Sequence, residues 1–202
     1  MITFVELLSG FLSTYFFIFT KWSTLYKYIG LLIFEAFSCI ALVVLLITEA
    51  KVKNEPLIST VAAVFYSLII GIIGAIAIFI LSFFFGAFIF DCGTLFFSSF
   101  FAFTIFKTCI FTGYTNIIPL LVNSYLVPNC GKIAPLYYTL LFSYFSSFSV
   151  VLEVESDLFK WPNFAISAAL IGRLIGVVYK LAKEYRFKDN ITKSSMFLKK
   201  NN

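Results

Sequence analysis

LISTVAAVFYSLIIGIIGAIAIFILSFF, running from Leu57 to Phe84, decides the fold. A helix needs about 20 mainly apolar residues to cross the hydrocarbon core of a bilayer. This run exceeds that, enough to tilt or to extend past the interface. On the same ruler the flanking sequence gives five further spans, at about Ile2–Phe19, Ile29–Thr48, Phe88–Phe106, Leu136–Leu152 and Pro162–Leu181. The expected fold is an all-α membrane protein, a bundle of six transmembrane helices in one polytopic domain, with residues 182–202 as a polar cytosolic tail. Between the spans lie an interfacial turn with Lys21, Trp22 and Lys27, a charged loop from Glu49 to Pro56, and a break at Gly86. A wetter stretch from Lys107 to Pro135 and an acidic loop with Glu153, Glu155 and Asp157 complete the set.

Composition agrees. The chain is 61% hydrophobic and 12% charged, with mean hydropathy +0.99 and 28 phenylalanines. Soluble domains are roughly 45–50% apolar and about 25% charged. The net charge of +5 collects at one end, as membrane topology requires, and does not point to nucleic acid. The first span lacks a basic start and small residues after it, so it does not read as a cleaved signal peptide. Lysines decide the orientation: Lys51, Lys53, Lys107, Lys132 and the cations from Lys180 onward fall on one side if both termini are cytosolic. Asn190-Ile191-Thr192 is a glycosylation sequon by pattern, and on this topology it faces the cytosol. Lys199 and Lys200 stand third and fourth from the carboxyl end, the arrangement of a dilysine retrieval signal. A coat receptor in the cytosol reads that address, which places the protein in the endoplasmic reticulum membrane.

The chain has no histidine, which removes the commonest general base and metal ligand. Cys39, Cys92, Cys109 and Cys130 are scattered without a CxxC pair, so they read as packing residues rather than a zinc or disulfide framework. Nucleophilic triads, HExxH and glycine-rich phosphate loops are absent, and no catalytic, cofactor or metal site is expected. Three carboxylates on one loop without histidine read as a solvated loop.

Charges inside spans are functional candidates by default. Glu35 and Arg173 lie deep in the second and sixth spans, Asp91 follows the Gly86-Ala87 break, and Glu6 sits at headgroup level. Their functional reading is a polar site for a lipid phosphate or a partner helix. The bland reading is buried ion pairs that fix helix register, with depth favouring Glu35 and Arg173 as the pair. Small residues recur at Ser67, Gly71 and Ala75 in the third span, and at Ala168, Gly172 and Gly176 in the sixth. Such stripes let helices approach closely in lipid, within this bundle or against another protein.

Two segments carry a family resemblance. Gly86-Ala87-Phe88-Ile89-Phe90-Asp91 is followed by a Phe- and Thr-rich helix, and Leu152-Glu153-Val154-Glu155 is followed by Trp161-Pro162 and the glycine-spaced last helix. Together they resemble the PIG-F family, small six-span proteins of glycosylphosphatidylinositol (GPI) anchor synthesis. That family has Gly-Ala-Pro-x-x-acid at the first place, and Leu-Asp-Trp-Glu, a further Trp and Trp-Pro at the second. Phe88 replaces the proline, and Val154 and Leu158 replace tryptophans. The resemblance covers roughly residues 81–183. It implies a non-catalytic subunit that stabilises a large multi-span GPI ethanolamine-phosphate transferase. On that reading Gly86, Ala87, Asp91, Glu153, Glu155, Trp161, Pro162, Gly172, Arg173 and Gly176 meet the partner or membrane lipids, GPI intermediates among them. Two other classes stay open: a small transporter, channel or flippase using Glu35, Asp91 and Arg173, and an intramembrane lipid-modifying transferase using Asp91 or Glu153.

Overall fold

The computed structural model describes residues 2–19, 23–53, 56–84, 87, 91–113, 131–151 and 161–200, with side chains left out at 2–3, 148–151 and 186–200. The chain is an all-α membrane protein, and no strand occurs among the described residues. Among the described residues the helices are α1 (Ile2–Phe19), α2 (Thr24–Val52), α3 (Leu57–Phe84), α4 (Cys92–Thr112), α5 (Ala134–Val151, entered by a 3-10 turn at Gly131–Ile133) and α6 (Asn163–Lys200). Among the described residues, α2, α3, α4 and the Asn163–Tyr185 part of α6 are long and apolar enough to cross a membrane, and Phe4–Phe19 is a shorter apolar helix.

Helix bounds depart from hydropathy where local chemistry intervenes. α3 has the expected bounds. α4 begins later than expected, because Asp91 is its N-cap: the carboxylate accepts a hydrogen bond from the Gly93 N–H at 3.0 Å. A side chain that caps the first turn fixes where a helix starts. α4 then runs on through Lys107 to Thr112, so the expected loop beginning at Lys107 is helix over its first turns. α2 likewise absorbs Thr24–Tyr28 at one end and Glu49–Val52 at the other. Trp161 and Pro162, expected to open the last helix, form the turn before it, and the Pro162 carbonyl accepts from the Ile166 N–H. α6 does not stop at Leu181: its backbone stays helical through the polar segment expected as a tail, as far as Lys200.

α4 and α6 are the central helices. Each buries 56% of its most apolar stretch, against 28% in α2 and 11% in α3. α3 is therefore peripheral, and it leans mainly on α4. The main core gathers Phe17, Leu31, Phe100, Phe101, Ile166 and Leu170 from α1, α2, α4 and α6. Hydroxyls within the helices bond back to their own backbone: Thr108 to the Thr104 carbonyl at 2.9 Å, Ser143 to that of Thr139 at 2.7 Å. With no water at this depth, local satisfaction is what makes such residues tolerable.

Both small-residue stripes are used inside the chain. A Cβ at Gly172 would collide with the Tyr138 carbonyl oxygen of α5, and one at Gly176 would lie 2.5 Å from that of Ala134. A Cβ at Gly71 would lie 2.9 Å from the Ala102 carbonyl oxygen of α4. The clashing atoms are backbone, so they cannot swing away. Gly172→Ala or Gly176→Ala is expected to push α5 off α6 and cost about 1–3 kcal/mol. Thermal unfolding of the purified variants checks this, with Ala168→Gly, which opens no clash, as the mild control.

Candidate functional site: a buried charge layer

One carboxylate stands among four helices. Glu35 of α2 is fully buried, with both oxygens engaged. Arg173 of α6 donates from Nη1 to Glu35 Oε1 at 2.6 Å, and Lys107 of α4 donates from Nζ to Oε2 at 2.6 Å. Arg173 Nη2 also donates to Ser13 Oγ of α1 at 2.8 Å, and Lys107 Nζ to Ser38 Oγ of α2 at 2.9 Å. The guanidinium carbon stands 5.6 Å from the centre of the Phe100 ring. Toward the start of α1, Lys180 of α6 donates to Glu6 Oε2 at 2.7 Å and stands over the Phe111 ring. All five ionised groups are nearly or fully buried. Among the described residues, Ser67 Oγ alone is a buried side-chain oxygen or nitrogen without a partner, so no buried polar atom of the charge layer is left unpaired.

Energetics explain why the layer is internal. A lone Asp, Lys or Arg at the bilayer centre costs about 2.5–3.5 kcal/mol on insertion scales, and more on an isolated helix. Paired and hydrogen-bonded, the groups avoid most of that penalty. The arithmetic is uneven, though: Glu35 faces two cations, while Glu6 faces one.

The sequence expectations divide accordingly. The Glu35–Arg173 pair is present. Glu6, placed at headgroup level, is instead buried and ion-paired. Asp91 does not join the charge layer. It lies on α4 about 24 Å, at 1.5 Å per residue, from Lys107, so it cannot share a site with Glu35 and Arg173. Asp91 belongs to a separate cluster at the other end of the bundle. There Trp161 Nε1 donates to Thr94 Oγ1 at 3.1 Å, the Trp161 and Phe97 rings stand 5.1 Å apart, and Tyr28 donates to Asn163 Oδ1 at 2.5 Å. Pro162 packs so closely that a Cβ on Gly93 would meet its Cδ at 2.5 Å. Ala87 is buried beside this end, its N–H donating to the Ser82 carbonyl. The structure thus brings Asp91, Trp161 and Pro162 together, puts Arg173 in the charge layer, and packs Gly172 and Gly176 against α5. Gly86, Glu153, Glu155 and the side chains of Lys199 and Lys200 lie outside the described residues.

Sequence reasoning missed Lys107 and Lys180 as members of the site. The signal for Lys107 was the Asp91 cap: starting the helix there carries it past Lys107. The signal for Glu6 was the polar spacing Glu6, Ser9, Ser13 along one face of α1.

No group of three or more potential metal ligands occurs among the described residues. No protein-family model matches the chain, nor does any curated protein or any solved structure.

The unequal charge count makes the two partners of Glu35 separable. Glu35→Gln strands two buried cations and is expected to cost about 3–5 kcal/mol. Lys107→Met leaves the neutral Glu35–Arg173 pair and should cost less than half as much. Unfolding of both variants in one detergent checks the order; equal losses would mean that Arg173 alone does not hold the Glu35 carboxylate and that both cations are required.

Proposed function

We propose that this chain is a non-catalytic subunit that stabilises a large multi-span GPI ethanolamine-phosphate transferase in the endoplasmic reticulum membrane. The observation that carries the reading is the internal pairing of the charge layer. Glu35, Lys107 and Arg173 are paired with one another, as are Glu6 and Lys180, and a substrate or a moving ion would have to break those buried pairs to engage them. Those charges therefore act as architecture. The two segments that resemble the PIG-F family supply the specific partner. Asp91, Trp161 and Pro162, drawn from both of those segments, meet at one end of the bundle, which suits a shared recognition surface. On the lysine count that end is lumenal, with Lys51 and Lys53 cytosolic, the side on which the transferase's catalytic domain stands in the resembled family. Gly172 and Gly176 are covered by α5, so the partner docks elsewhere, on lipid-facing helix surface or on the Asp91–Trp161 end.

Affinity purification of the chain, tagged at its N-terminus and extracted in mild detergent, tests the reading. The expected result is a stoichiometric, much larger multi-span protein with a phosphatase-like lumenal domain, and a fall in its recovery of at least about fivefold with Trp161→Ala. A stable chain that purifies without such a protein contradicts the proposal.

A further inference from the structure

A second feature lies apart from the charge layer and from the Asp91–Trp161 end. Between α2, α3 and α4 runs an open groove of about 650 Å³, floored by Cys39, Gly71 and Ala102 and walled by Val43, Ala75 and Phe103. Its lining is almost wholly apolar. Further along the same three helices, toward the α2–α3 turn, lies a second, smaller pocket of about 270 Å³. There the lining turns polar: Glu49, Lys53, Ser59 and Thr60 face it. Glu49 and Lys53 are exposed, and no ion pair joins them among the described residues.

We infer that the groove and the pocket beyond it together form a site for one zwitterionic glycerophospholipid, with an acyl chain in the groove and the headgroup between Glu49 and Lys53. Three observations select that occupant. Length is the first: Ala36 to Glu49 spans about 20 Å of helix at 1.5 Å per residue, close to one leaflet of a bilayer about 40–45 Å thick with its headgroups. A partner's transmembrane helix would need the full thickness. Volume is the second, since a helix about 10–12 Å across and about 30 Å long displaces several times 650 Å³, whereas the groove falls in the usual range for small-molecule sites, about 300–1,000 Å³. Charge is the third. The mouth offers one carboxylate and one ammonium, which complement the ammonium and phosphate of a zwitterionic headgroup, and the Thr60 hydroxyl adds a hydrogen bond, the Ser59 hydroxyl being engaged with the Pro56 carbonyl. An anionic headgroup would satisfy Lys53 and be repelled by Glu49. The site does not rest on the proposed subunit role and is read out separately from it.

The test uses the full chain, together with any partner that co-purifies. It is equilibrated in mild detergent with equimolar phosphatidylethanolamine, phosphatidylcholine and phosphatidylglycerol, gel-filtered, and its bound lipid counted by mass spectrometry. The expected result is about one retained phospholipid per chain, with the zwitterionic species favoured roughly threefold, the size one partly exposed charge contact gives. Ala75→Phe and, independently, Ala36→Phe fill the groove and should reduce retained lipid severalfold. Glu49→Lys lies on the exposed turn, away from the packed core, and should turn the preference toward phosphatidylglycerol. Retention unchanged by both groove-filling variants, or a headgroup preference unmoved by Glu49→Lys, overturns the assignment. So does a partner protein that binds the wild-type groove in place of lipid and is lost with Ala75→Phe.

Discussion

Everything in this bundle is arranged around one ionised carboxylate that water cannot reach. Glu35 is fully buried, and in lipid the alternatives to burial against cations are worse. Satisfying it takes Arg173 from α6 and Lys107 from α4, and satisfying those in turn takes Ser13 from α1 and Ser38 from α2. Four helices are thereby fixed in depth by hydrogen bonds that tolerate only a few tenths of an ångström. Apolar packing alone would not do this, because lipid tails solvate leucine and phenylalanine about as well as another helix does. The layer also explains the positions of the remaining helices. α5 is held to α6 by glycines rather than charges, and α3, which contributes no ionised group, is the peripheral member leaning on α4.

That division has a functional consequence. The helices joined through Glu35 form a rigid block, with its polar chemistry turned inward. Among the described residues, the surfaces left to interact include the outer face of α3, the cleft it makes with α2, and the end where Asp91 caps α4 beside Trp161 and Pro162. A protein built this way is suited to holding and presenting, with a rigid interior and a lipid-facing exterior that offers a groove and a polar corner. The subunit reading and the lipid site draw on different parts of that exterior, and neither borrows the buried charges.

Much of the fold was legible because hydrocarbon thickness is a strict ruler. The approximate bounds that hydropathy gives α3 match the helix, since the run is uninterrupted between Pro56 and Phe84. The pairing of Glu35 with Arg173 was legible from depth alone. The errors have a common cause: hydropathy says where lipid ends, not where a helix ends. Lys107 opens the stretch that hydropathy reads as a wetter loop, although Asp91 caps the helix that carries it inward. The segment after Leu181, with Ala182, Lys183, Glu184 and Arg186, is rich in good helix formers and continues α6 into a polar setting. Glu6 reads as a headgroup residue because it stands one turn from the start of its span, and its cation, Lys180, lies far away in sequence. The closed role of Gly172 and Gly176 could not be told from an open one, because a small-residue stripe looks the same whether its partner is α5 or another protein.

The measurement that bears most directly on this account is a double-mutant cycle between Glu35 and Arg173, using Glu35→Gln, Arg173→Gln and the pair, followed by thermal or chemical unfolding in a single detergent. Contacting charges in one network show coupling beyond the additivity of independent sites. The expected coupling is about 2 kcal/mol or more, with the double variant more stable than the sum of the single losses implies. Additive losses within about 0.5 kcal/mol would contradict the claim that this ion pair sets the register of the bundle.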